Sequence, residues 1–140
     1  FDGPRAFDVL ARRMDEVDGL EVTLFLNIQR NSGDTTAPDA LVRQFAERFW
    51  STDWPGQRRP EVFYFPAALE MDGRGGVLHA KTLVVDEQVV FVTSANLTEA
   101  AFEANIELGL LVRDSSLAAS VTRHFRGLVE RHLLLPLPSR

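Results

Sequence analysis

A chain of 140 residues, 45% hydrophobic and 25% charged, is long enough for one globular domain with a real core. It contains no cysteine, which excludes disulfides and thiolate zinc sites and fits a reducing compartment. No apolar run approaches the roughly 20 residues that span a bilayer, and the net charge of −5 weighs against a large nonspecific nucleic-acid surface, which phosphate contacts would make basic.

The chain opens on Phe1 and runs directly into helical sequence with no signal peptide, which points to a portion of a longer protein whose first strands are missing. Asp2 is placed to cap a helix and Pro4 to start it. Phe7, Leu10, Ala11, Met14 and Val17 recur at three- and four-residue spacing, predicting an amphipathic helix over 4–17 that Gly19 stops. Leu20 to Ile28, rich in β-branched and aromatic residues, predicts a strand. Polar residues 29–37, with Asn31, Ser32 and Gly33, predict a loop. From Pro38 a second helix carries Leu41, Val42, Phe45, Phe49 and Trp50 along one side. Residues 51–60 break it with Pro55, Gly56 and Pro60. Glu61 to Phe65 is a short strand closed by Pro66, and 66–76 is a loop ending in Gly73-Arg74-Gly75-Gly76.

Strand signals are densest in the centre. Leu78 to Val85 and Val89 to Thr93 read as a hairpin turned by Asp86-Glu87-Gln88, followed by a short helical turn near 98–103 and a strand from Asn105 to Arg113. Ser115 can cap a last helix with Leu117, Val121, Phe125, Leu128 and Leu133 on one face. The tail, 136–140, reads as disordered. Alternating helices and strands define an α/β class. The runs TLVV and VVFV are apolar on both faces, as a sheet flanked by helices on both faces requires.

The chemistry concentrates in 79–107. His79 and Lys81 are two apart on a predicted strand, so both side chains leave one face, and Asn105 and Glu107 repeat that spacing on another. Ser94 and Asn96 fall just past a strand end, where polar groups converge on ligands. Imidazole, ammonium, amide, hydroxyl and carboxylate together are costly core material and good material for holding a phosphate. An imidazole is a nucleophile near neutral pH if its other nitrogen is held as a donor, which a carboxylate such as Glu107 can do. Lys81 and Asn96 can hold the nonbridging oxygens, and Ser94 can add a hydrogen bond.

Laid out in order, His79-Ala80-Lys81, four residues, Asp86, six residues, Thr93-Ser94-Ala95-Asn96 resembles the H-x-K-x4-D-x6-G-S-x-N motif of the phospholipase D superfamily. Thr93 stands where that motif has glycine, and Asn105-Ile106-Glu107 resembles the N-x-E that follows it in many members. The resemblance implies a phospholipase D-like α/β domain and a metal-independent phosphodiesterase that works through a covalent phosphohistidine, with no cofactor. It implies the roles given above for His79, Lys81, Asn96, Ser94 and Glu107, and a structural role at the turn for Asp86. The family draws its leaving-group acid from a second copy of the motif. This chain has one copy, since neither His124 nor His132 has a lysine two residues on, so the resemblance implies a homodimer that completes the active site.

Further segments, Ala11 to Asp15, Leu24 to Ile28 and Glu61 to Tyr64, resemble the phospholipase D-like component of bacterial DISARM phage-defence systems. That implies a cytoplasmic protein acting on nucleic acid beside other DISARM components. A catalytically lapsed binding or assembly subunit and a lipid-directed phospholipase are the alternatives. Arg58-Arg59 reads as a solvated doublet and Trp54 as a loop aromatic. A Ser-His-Asp hydrolase built on Ser94, His79 and Asp86 has no nucleophile-elbow sequence behind it.

Overall fold

The computed structural model describes residues 4–31, 33–70, 75–96 and 105–139; Asp2, Gly73-Arg74 and the helical turn expected near 98–103 lie outside them. The elements run α1 (Pro4–Glu16), β1 (Thr23–Leu26), α2 (Pro38–Arg48), β2 (Glu61–Tyr64), β3 (Thr82–Val85), β4 (Val89–Thr93), β5 (Gly109–Arg113), α3 (Ser115–Glu130) and β6 (Leu135–Pro136). This is the expected α/β class, with the strands shared between two three-stranded sheets, β1-β2-β6 and β3-β4-β5. The described residues divide into two compact units, one within 4–78 with 132–139 and the other within 79–131.

In the first unit the helical spacing read in α1 buries Phe7, Ala11 and Met14. The helix stops at Glu16 and leaves carbonyls without intrahelical partners. Arg58, expected in solvent, supplies them: its guanidinium donates to the Met14, Val17 and Leu20 carbonyls. A planar group with five donors suits that cluster better than any solvated role. Beside it, Asp15 accepts from the backbone N–H groups of Arg58 and Gln57 at 2.9 and 3.0 Å. Those two bonds hold its carboxyl below the ordinary aspartate value. Gly56 lets the loop come this close, because a Cβ there would stand 2.9 Å from the Ala11 Cβ.

α2 runs into one wider turn, Phe49–Asp53, closed by the Trp54 N–H on the Phe49 carbonyl at 2.9 Å. That i to i+5 step turns Phe49 fully into the core. Trp54, in the loop after that turn, is also buried, and its indole donates to the Arg58 carbonyl at 2.9 Å. β1 lies parallel to β2 in the register Thr23↔Glu61 to Leu26↔Tyr64, with α2 in the crossover that parallel strands need.

The tail from 136, read as disordered, begins inside the third strand of this sheet and stays tied to the unit through Pro138. β6 pairs antiparallel with β2, Leu137 donates to the Val62 carbonyl at 2.8 Å, and the Trp50 indole donates to Pro138 at 2.7 Å. Leu134 and Leu137 are buried. Two prolines suggested disorder, but an edge strand has one side that needs no N–H donor, so proline is tolerated there.

The second unit is an antiparallel meander with one helix. Asp86 and Glu87 carry φ of 52° and 50°, and Gln88 N–H closes the turn on Val85 at 2.9 Å. Left-handed φ at both positions matches the twist of a tight hairpin. α3 is capped by Asp114, one residue before the expected Ser115: its carboxylate accepts from Leu117 N–H at 2.9 Å. The helix ends at Glu130, and His132, with φ of 56°, leaves Leu133 off the helical face. Val84, Val90 and Val112 stand abreast in register. α3 packs against β3 and β4, and Val90 and Ala118 are fully buried. Leu83, Phe91 and Leu111 stand abreast on the opposite face, where Leu83 is 52% and Leu111 55% exposed. The strands are apolar on both faces, as read, and within this unit the described helix packs on the side of Val90.

Candidate active site

Every motif residue belongs to the second unit, 79–131. His79 and Lys81 lie in extended chain just before β3, and the ladder continues past the strand's formal end, with Thr93 N–H on the Lys81 carbonyl at 3.0 Å. The two-residue spacing brings the side chains together as expected. Lys81 Nζ stands 2.7 Å from His79 Nε2 and donates to the His79 carbonyl at 3.2 Å. An ammonium has no lone pair, so with Lys81 as the donor Nε2 is the acceptor in this contact.

Glu107 is organised from the opposite strand. Its Oε2 accepts from the Ser94 hydroxyl at 2.6 Å and its Oε1 from the Asn105 amide at 3.2 Å. The sequence reading placed this carboxylate behind the histidine. The structure pairs it with Ser94 and Asn105, and His79 bonds to Lys81. Asn105 and Glu107 sit ahead of β5, whose strand pairing begins only at Gly109. The arrangement also leaves no Ser-His-Asp relay, because the Ser94 hydroxyl bonds to Glu107 and the His79 ring to Lys81. Asn96 is exposed at the end of the described segment that follows β4. Asp86 contributes through the backbone of the hairpin turn.

Thr93 is the residue whose part the sequence reading missed. It registered there only as a departure from glycine. Its hydroxyl accepts from Ala95 N–H at 3.0 Å and donates to the Leu108 carbonyl at 3.3 Å. A threonine two residues before an N–H at a strand end is the available signal, since hydroxyls close such turns.

Two hydrogen-bonded groups result, an imidazole with an ammonium and a carboxylate with a hydroxyl and an amide. Ammonium and amide groups are donors of the kind that hold phosphate oxygens, and an imidazole nitrogen is a nucleophile of the kind that attacks phosphorus. Among the described residues no three His, Asp or Glu side chains are grouped to hold a metal ion, and no helix is long and apolar enough to cross a membrane.

A histidine and lysine two apart before a hairpin, with hydroxyl and amide groups following its second strand, define a phospholipase D-like domain. Residues 19–129 match the model of the family described as cardiolipin synthase, PLD-like domain, and the chain belongs to that family. It is similar to cardiolipin synthase 2 from two strains of Staphylococcus epidermidis, at 38% identity over 50 residues, which is 36% of this chain and 10% of each relative. The chain thus covers about a tenth of the length of those relatives. No solved structure matches it.

Proposed function

We propose that the protein is a metal-independent phosphodiesterase with His79 as nucleophile. The observation that carries this reading is the 2.7 Å pair between His79 Nε2 and Lys81 Nζ, a nucleophile and its phosphate-binding cation in one contact. An incoming phosphate oxygen competes for the ammonium and frees the Nε2 lone pair. Nε2 then attacks phosphorus, the bond to the leaving oxygen breaks, and that oxygen takes a proton to depart as an alcohol. Water next attacks the phosphohistidine, gives up a proton, and restores His79 with release of a phosphomonoester. Lys81 and Asn96 hold the nonbridging oxygens, and Ser94 adds a hydrogen bond when its hydroxyl, which donates to Glu107 at rest, turns to the phosphate. The proton donor and acceptor is the histidine of a second copy of the motif, supplied by a homodimer. A strictly monomeric protein with full activity would require a different acid.

The names of the family and of its staphylococcal relatives favour a phospholipid as the substrate. Nucleic acid, in phage defence alongside DISARM components, is the second reading, resting on the segments 11–15, 24–28 and 61–64. The test is a screen of the protein on bis(p-nitrophenyl) phosphate, on phosphatidylcholine and cardiolipin vesicles, and on single-stranded DNA, duplex DNA and RNA, each with and without EDTA. Cleavage of one class, unaffected by chelation, is the expected result, because lysine and amide groups carry the phosphate charge here. Loss of cleavage with EDTA and recovery with magnesium would contradict the mechanism. Inertness on every substrate would favour a lapsed binding subunit.

A further inference from the structure

We propose that Thr93 is a positioning residue, holding the Ser94–Asn96 segment against the strand that carries Glu107; the inference rests on the phosphodiesterase reading above. Thr93 stands where three parts of the site meet. Its N–H binds the Lys81 carbonyl at 3.0 Å, tying β4 to the extended chain that bears His79 and Lys81. Its hydroxyl accepts from Ala95 N–H at 3.0 Å, which folds the chain back just beyond the strand. The same hydroxyl donates to the Leu108 carbonyl at 3.3 Å, next to Glu107. That carbonyl also receives Ser94 N–H at 3.0 Å, while Leu108 N–H binds the Ser94 hydroxyl at 3.2 Å.

The segment between β4 and Asn96 has no strand pairing of its own past Thr93, so these bonds set where the Ser94 hydroxyl and the Asn96 amide stand. Gly109, directly across the ladder from Thr93, has the Phe91 ring where a Cβ would stand, 2.6 Å from its Cε2. A glycine at position 93 would supply the backbone bond to Lys81 and neither hydroxyl bond. The threonine therefore supplies, through its side chain, an anchor that the backbone alone lacks. It acts on the chemistry only through Ser94 and Asn96.

Thr93→Val keeps the shape and β-branching and removes the hydroxyl, whereas Thr93→Ser keeps the hydroxyl. The valine variant, which loses both hydroxyl bonds, should lower kcat about fivefold to tenfold, with KM changed much less. The serine variant should restore kcat. Hydrogen exchange at the Ala95 amide, followed by NMR, should quicken in Thr93→Val and stay slow in Thr93→Ser. Valine and serine variants that both match the wild type in exchange and in kcat would overturn the proposal, as would faster exchange with unchanged kcat. If the wild type cleaves no phosphodiester, the function proposed above fails first. The exchange comparison then still decides whether the hydroxyl orders the segment: equal Ala95 exchange in all three proteins overturns the anchor.

Discussion

Replacing His79 with alanine is expected to lower turnover by on the order of 10⁴-fold or more, the loss typical of a removed nucleophile. The melting temperature should stay where it is. His79 is exposed, and among the described residues its side chain bonds to Lys81 alone, so little packing is lost. Lys81 should remain in place, because its ammonium also reaches the His79 backbone carbonyl, which alanine retains. The comparison needs kcat and thermal unfolding on the same preparation. A variant that unfolds early would make His79 a structural residue, and one that turns over at the wild-type rate would remove it from the mechanism.

The largest expected loss of stability lies in the other unit. Phe49→Ala should destabilise the protein by about 3–5 kcal/mol, the usual range for an aromatic removed from a core. The ring is fully buried and stands edge-on to Phe7 at 5.5 Å and to Trp50 at 4.8 Å. It also stacks on Phe45 at 6.2 Å and Trp54 at 6.3 Å. Four rings cannot close over the vacancy together, because the Trp50 and Trp54 indoles are each tied to a carbonyl. Urea unfolding measures the effect as a lower midpoint. A shift below about 1 kcal/mol would mean that the cluster relaxes into the space, and that its tight packing is worth less than the geometry implies.

The parts of the molecule legible in the sequence are those set by local periodicity. The three- and four-residue spacing of Phe7, Ala11 and Met14 locates α1 and its buried face, and the run from Leu83 through Phe91 locates a hairpin. The two-residue spacing of His79 and Lys81 likewise places both side chains on one face, where they meet. Long-range partners were not legible. Arg58 looks solvated until the end of α1 and the turn after it, more than forty positions earlier, present the Met14 and Val17 carbonyls. The tail looks disordered until the edge of β2 receives it. Glu107 has several hydrogen-bond donors within its chemical reach, and the choice of Ser94 over His79 depends on how the chain runs past the ends of β4 and β5. Thr93 illustrates the same limit, since its two bonds run to a neighbouring N–H and to a carbonyl fifteen positions away.

The covalent intermediate is the central claim, and trapping it is the most direct test. The protein is mixed with whichever phosphodiester it cleaves, labelled at phosphorus, and quenched within the first turnover in alkaline detergent, where a phosphoramidate survives. Peptide mapping then locates the label. The account predicts phosphate on the peptide containing His79, stable to base and lost on brief acid treatment, and no label in His79→Ala. Steady turnover with no labelled protein, or with label on a different residue, would contradict it.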